Sequence, residues 1–323
     1  MDKLLKTAIV GLGVIGSVHF DLARNLNLNV VAVCDQDESK LSHLQDVQKF
    51  TDYINMLEQV KPDVVHICTP HYLHADMIIQ ALNRNINVLC EKPLCIKEDD
   101  IPRILQAEKV SNAILGVCHQ NRYNQENVFV KDYLKDKKIV GGFGSVVWNR
   151  CKDYYMSADW RGKWDTEGGG VLINQALHTL DLMQWLVGMP TKLSATVSNQ
   201  TLKNHIEVED TASIICSGNS KFTFFATNGG CCDFPVGITI KTDNEVVNIL
   251  KGKVVAGNAV YDFDKDKAVY GKCCYGTGHA GLMRDFYDCV KSGRKFDIDG
   301  SEASKVIKII LSAYKSKGES IEI

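Results

Sequence analysis

Glycines at positions 11, 13 and 16 follow the apolar run Ala8-Ile9-Val10 and lead into a stretch, 15–25, able to form a helix. A Gly-x-Gly-x-x-Gly turn between a buried strand and a helix can hold a pyrophosphate. The first glycine permits the tight turn, the second lets backbone approach the phosphates, and the third lets helix pack on strand. The helix N-terminus adds unpaired N–H groups and partial positive charge. Gly11, Gly13, Val14, Ile15 and Gly16 are therefore expected at a dinucleotide. A second apolar run, 30–34, ends at Asp35, 19 residues beyond Gly16. A carboxylate there can accept from both ribose hydroxyls and would repel a 2′-phosphate. The following Gln36-Asp37-Glu38-Ser39 holds no arginine and is itself acidic, so the pattern selects NAD over NADP.

Two further groups could carry chemistry. Glu91-Lys92-Pro93 comes directly off the apolar run 87–90. A lysine there can bind a hydroxyl and stabilise an alkoxide, and proline fixes the backbone, with a cis bond as one way of aiming Lys92. A surface lysine at a turn fits the spacing equally well. The second group is Gly168-Gly169-Gly170 followed by Asn174, His178 and Asp181, at spacing i, i+4 and i+7. Read as one helix over 171–187, ended by Gly188-Met189-Pro190, this places all three on one stripe of an otherwise apolar helix. Such a stripe must be paired internally or face a polar cavity. His71-x-x-His74 has no third ligand and reads as a loop or capping pair.

The elements that position these groups alternate. Strands at 8–10, 30–34, 64–68, 87–90 and 113–117 with helices at 75–83 and 98–110 predict a doubly wound parallel sheet, an α/β Rossmann domain over residues 1–122. Ligands of such sheets sit beyond the carboxyl ends of the strands. That directs attention to Asp35, Thr69-Pro70-His71, Glu91-Lys92-Pro93 and His119-Gln120-Asn121-Arg122. From residue 123 consecutive strands follow, at 143–150, 192–198, 212–216, 221–227, 236–242, 245–250 and 253–255, with helices at 126–135, 279–292 and 301–315. They predict an α+β domain over 123–323 with a predominantly antiparallel open sheet.

The chain has 323 residues, enough for two domains, with a net charge of −2. Nothing in that balance favours nucleic acid or an anionic membrane. No apolar run is long enough to span a bilayer, and no signal-peptide core precedes the first strand. Among 12 cysteines, Cys34, Cys68, Cys90 and Cys118 fall at strand ends, as buried inert thiols do. The pairs Cys231-Cys232 and Cys273-Cys274 lack the gap of a zinc knuckle. A reduced, cytoplasmic protein without a metal is expected.

These pieces, in this order, resemble the Gfo/Idh/MocA oxidoreductases, the glucose–fructose oxidoreductase and inositol dehydrogenase family. The likeness runs through Gly11–Gly16, Thr69-Pro70, Glu91-Lys92-Pro93, Asn121-Arg122, Gly168–Asp181 and Asp285-Phe286. It implies a Rossmann domain joined to an α+β domain whose open sheet builds homodimers or homotetramers. It also implies oxidation or reduction of a secondary alcohol on a sugar, cyclitol or related polyol by hydride transfer with NAD. Lys92 would then bind the reacting hydroxyl and His178 take its proton, with Asn174 and Arg122 at the substrate. Thr69, Pro70, His74, Glu91, Lys92 and Asn121 would line the cofactor, and Trp160-Arg161 and Trp164 would cover the nicotinamide, contact substrate or form a packed loop. Inositol dehydrogenase-like members carry Asp where this chain has Asn174, which puts inositol itself in question. Two other activities of the same fold fit the motifs, an NAD-dependent glycosidase and a non-enzymatic NAD-binding sensor.

Overall fold

The computed structural model describes residues 4–263 and 277–323, which form two compact units. Cys273-Cys274 lie outside the described residues.

The first unit holds β1 (Lys6–Val10), α1 (Val14–Asn25), β2 (Asn29–Cys34), β3 (Gln48–Phe50), α2 (Tyr53–Val60), β4 (Val64–Ile67), α3 (His74–Leu82), β5 (Asn87–Cys90), α4 (Asp100–Val110) and β6 (Leu115–Val117). Its six strands pair in the order β3-β2-β1-β4-β5-β6, all parallel. That is the doubly wound arrangement expected, with the order reversing beside β1. The inner strand β4 and the strand β6 are buried on both faces, which is why they read as continuous apolar runs rather than alternating ones. The short β3 and the helix α2 are additions to the expected elements. Gln48-Lys49-Phe50 is polar and largely exposed at the sheet edge, so it carries no hydrophobic period.

The unit also contains residues 277–304 from the far end of the chain, including a helix over Gly278–Ser292. This corrects the expected boundary, which assigns everything after residue 122 to the second domain. The reason is packing. Gly116 in β6 lies against the rings of Phe286 and Phe296, so close that a Cβ at Gly116 would sit 2.7 Å from Phe286. The Tyr287 hydroxyl also meets Thr7 Oγ1 of β1 at 2.7 Å.

Among the described residues the second unit runs over 121–263 and 305–323. It contains α5 (Gln125–Tyr133), β7 (Ile139–Val147), α6 (Lys152–Met156), α7 (Leu177–Val187), β8 (Lys192–Ser198), β9 (Thr211–Ser217), β10 (Phe222–Thr227), β11 (Gly237–Thr242), β12 (Val246–Leu250), β13 (Lys253–Ala256) and β14 (Ala259–Asp262). After the helix α8 (Gly278–Ser292) of the first unit, α9 (Gly300–Ser316) and β15 (Ile321–Glu322) close the chain. The nine strands pair as β14-β13-β12-β11-β7-β10-β9-β8-β15. Among the described residues only β7 and β10 run parallel, so the sheet is mixed and mostly antiparallel. Packing of α7 on one face places Met183 and Val187 against Gly142 and Gly144 of β7. Alternating buried and exposed residues in β9 and β10 show that the other face is open.

Candidate active site

At the first turn each glycine has a separate reason. Gly11 has φ +85, and a Cβ there would lie 2.7 Å from the backbone of Cys68 at the end of β4. A Cβ on Gly16 would meet the Gly11 carbonyl oxygen at 1.8 Å, so α1 can approach the turn only through glycine. Around Gly13 there is nothing within 4 Å. The central glycine thus faces open space at the N-terminus of α1, where a phosphate would need it. Val14 is the first residue of that helix and is exposed.

Asp35 is buried at the end of β2. Its Oδ2 accepts from Leu12 N–H at 2.7 Å and its Oδ1 from Asp37 N–H at 2.9 Å, tying the glycine turn to the second strand. Lys40 Nζ lies 3.2 Å from Oδ1. That cation sits one residue past the acidic loop 36–39, and it reaches back because 38–40 forms a single 3-10 turn capped by Asp37.

Beyond β4, Thr69 and Pro70 are partly exposed, whereas His74 is fully buried. The His74 Nδ1 is 2.7 Å from Pro93 O and its Nε2 is 2.9 Å from Thr69 O. Burial lowers its pKa, partly offset by those two carbonyls. The ring sits between these two backbone carbonyls, donating to one of them in its neutral form, and so bridges the Thr69-Pro70 loop and the Lys92-Pro93 loop. The Lys92–Pro93 peptide is cis.

The Glu91 carboxylate turns into the unit. Its Oε1 lies 3.0 Å from His19 Nε2 and 3.8 Å from His279 Nε2, while Oε2 accepts from Lys92 N–H at 3.2 Å. Burial pushes this carboxyl up, yet the hydrogen bond from His19 and the proximity of both His19 and His279 outweigh it and hold it well below the usual range. The other nitrogen of His19 meets His66 Nδ1 at 3.2 Å, and His66 Nε2 meets the Tyr287 hydroxyl at 3.0 Å. Burial and the neighbouring His19 hold His66 well below its ordinary value. His19, Glu91 and His279 are the one group among the described residues with ligand-type atoms close enough for a metal, within 4.8 Å of one another. No local motif reveals them, since three distant segments supply them. Lys92 follows this buried base and is itself partly exposed.

In the second unit the triple glycine is a packing device. Gly168 and Gly169 have φ +82 and +144. A Cβ on Gly169 would lie 2.0 Å from the Tyr314 hydroxyl, and one on Gly170 would lie 1.9 Å from the Glu209 carbonyl oxygen. The Glu209 carboxylate accepts from Gly170 N–H at 2.8 Å, from Leu172 N–H at 3.0 Å and from the Tyr314 hydroxyl at 3.0 Å. Burial raises its pKa to about 7 against those bonds. Held this way, 171–176 forms turns and the helix begins only at Leu177. The expectation of one helix over 171–187 is corrected accordingly. Asn174 lies in the turns, whereas His178 and Asp181 lie on α7.

From Glu167 to Gln184 only Asn174 and His178 are partly exposed. Asp181 is fully buried and holds Arg122, with Nε to Oδ2 at 2.8 Å and Nη2 to Oδ1 at 2.6 Å. The Arg122 fork thus grips a carboxylate inside the unit, and its guanidinium lies over the Trp185 ring. Asn121, next to it, has a side-chain oxygen with no partner among the described residues.

Asn174 Nδ2 donates to Glu167 Oε1 at 2.5 Å and to the Tyr154 hydroxyl at 3.2 Å. Arg161 stacks between the rings of Trp160 and Tyr154, at 4.6 and 4.5 Å, and donates to the Tyr154 hydroxyl at 2.6 Å. These contacts pack the Trp160-Arg161 segment against Tyr154. Trp164 is exposed and donates to Glu207 O at 3.1 Å. Tyr154 and Glu167 escape sequence reasoning because neither belongs to a spaced motif.

Residues 5–119 match the family model described as oxidoreductase family, NAD-binding Rossmann fold, and residues 138–235 match the GFO/IDH/MocA C-terminal domain. The chain belongs to the GFO/IDH/MocA oxidoreductase family. Inositol 2-dehydrogenase from Salmonella typhimurium is 30% identical over 193 residues, 57% of this chain and 54% of that protein. The chain spans about half the length of the first curated relatives it matches. The uncharacterized oxidoreductase C115.03 from Schizosaccharomyces pombe is 23% identical over an alignment of 370 positions that covers 99% of each chain. Among solved structures, the WlbA dehydrogenase from Bordetella pertussis, in complex with NADH and UDP-GlcNAcA, matches with a TM-score of 0.87 at 25% identity over 99% of each chain.

Proposed function

We propose that this protein is an NAD-dependent oxidoreductase that transfers hydride to or from a secondary alcohol of a sugar, cyclitol or related polyol. The observation that carries the reading is the glycine turn, where space is open at Gly13 and filled at Gly11 and Gly16. A dinucleotide is the ligand such a turn accepts, and Asp35 beside it suits the unphosphorylated ribose of NAD. NAD supplies the hydride acceptor. Among the chain's own residues, Lys92 binds the reacting hydroxyl and favours its alkoxide, and His178 takes the proton. Asn174, the other accessible polar group of its segment, orients the substrate. Asn121 and the Thr69-Pro70 loop contact the cofactor.

Screening sugars and cyclitols for NADH absorbance with NAD+ and with NADP+ tests the reading. Turnover with NAD+, lost in both Lys92→Ala and His178→Ala while NADH still binds, is the expected result. Wild-type rates in both variants, or a clear preference for NADP+, would overturn it. Product release from glycosides without net NADH would instead indicate the glycosidase chemistry, and tight NAD binding without any turnover would indicate a sensor.

The protein works in a reducing, cytoplasmic setting, a reading supported by the cysteines, each of which is free among the described residues. No helix of the described residues is long and apolar enough to cross a membrane. We also propose a homodimer or homotetramer built on the open sheet face. Ile215, Thr223 and Phe143 stand in one row across β9, β10 and β7, with Ile215 59% and Phe143 45% exposed. Light scattering of the wild type and of Ile215→Lys tests this, and a wild-type monomer would refute it.

A further inference from the structure

Glu167 is a buried acidic residue in direct contact with Asn174, one of the two accessible polar groups of its segment. It has no solvent-accessible surface. Its Oε2 accepts from Gly162 N–H and its Oε1 from Asn174 Nδ2, each at 2.5 Å. Arg161 Nη1 stands 4.0 Å from Oε1.

A carboxylate can only accept, so the Asn174 amide has one permitted orientation, with its NH2 toward Glu167 and its oxygen turned away. The second proton of that NH2 is directed at the Tyr154 hydroxyl. Both donors of the amide are committed, which leaves the oxygen as the acceptor side of Asn174. We propose that Glu167 is a positioning residue that makes Asn174 an obligate hydrogen-bond acceptor for a substrate hydroxyl. This rests on the proposed function only in placing Asn174 at the substrate.

The pair holds one negative charge and one amide, and each substitution disturbs it in a defined way. Asn174→Asp sets a second carboxylate against the first, and two such groups in contact share a proton rather than both ionise. Glu167→Gln removes the group that dictates the orientation of Asn174. The exchange Glu167→Gln with Asn174→Asp restores one charge and one amide. In the exchange variant the amide at position 167 can accept from Gly162 N–H and donate to the carboxylate at 174, which again offers only acceptors.

The test is a double-mutant cycle read in two ways. On whichever sugar or cyclitol the wild type turns over, each single variant is expected to lose about tenfold or more in kcat/KM, and the exchange to recover most of it. Asn174→Asp should add an ionisation to the acid side of its pH–rate profile that the exchange lacks. Without any substrate, infrared difference spectra should show a protonated carboxyl near neutral pH in Asn174→Asp and none in the exchange. Thermal midpoints should fall in the singles and recover in the exchange. Effects that simply multiply in rate and add in stability, or an Asn174→Asp variant with no protonated carboxyl, would overturn the proposal. If the wild type turns over nothing, the proposed function fails while the infrared and unfolding arms still decide the pairing.

Discussion

A single missing methyl group means different things at Gly13 and Gly16. Gly13→Ala adds a Cβ where nothing lies within 4 Å, on backbone of φ −72 that alanine adopts freely. Its thermal midpoint should match the wild type, while NADH affinity measured by fluorescence titration falls about tenfold or more, because the space belongs to the ligand. Gly16→Ala must displace the Gly11 carbonyl oxygen, so it should lose stability as well as binding. At Asp35 the neighbouring Lys40 changes the expectation for cofactor choice. Asp35→Ser removes the carboxylate proposed to accept from the ribose and leaves Lys40 without that partner. Weaker NAD+ binding together with improved NADP+ binding should result, and unchanged relative affinities would show that Asp35 does not select the cofactor.

At the scale of an element, the Gly168–Gly170 turn and the start of α7 are held by Glu209. Folded, its pKa stands at about 7, above the ordinary value of 4.5. Between those values the unfolded chain has released the proton and the native state retains it, so stability falls as pH rises through this window. The effect is at most on the order of 3 kcal/mol. Glu209→Gln should unfold at lower temperature than the wild type at the acid end and approach it toward the neutral end, flattening the slope. A parallel pair of unfolding curves would show that Glu209 does not titrate there. Burial and Asp299 push Glu108 up to about 7 too, so the wild-type slope has a second contributor that this substitution leaves intact.

Across the whole molecule, chain order and spatial grouping part company. The expected break at residue 122 lies within two residues of the observed Gln120–Asn121 division, but 277–304 returns to the first unit. Phe286 anchors that return, fully buried against Gly116 and Phe296. Phe286→Ala should cost about 3–5 kcal/mol in denaturant unfolding, as large aromatic deletions from cores do. A loss under about 1 kcal/mol would mean the segment contributes little to the sheet it covers.

Local pattern along the chain is enough to specify the Rossmann unit, the nature of the second sheet and the dinucleotide turn. These depend on hydrophobic period and on glycine spacing, which a short window carries in full. The same reading singles out Lys92, Asn174 and His178, the polar groups that remain accessible at their turns and on α7. Which polar residues are spent inside is a matter of tertiary packing. Arg122 is consumed by Asp181, His74 by two carbonyls, and Glu91 by histidines from α1 and α8. Packing also shortens the expected helix to Leu177–Val187 and gives the triple glycine to Glu209 and Tyr314. One cause underlies each case. A buried polar group must find a partner, and that partner comes from a distant segment whose approach no local pattern encodes.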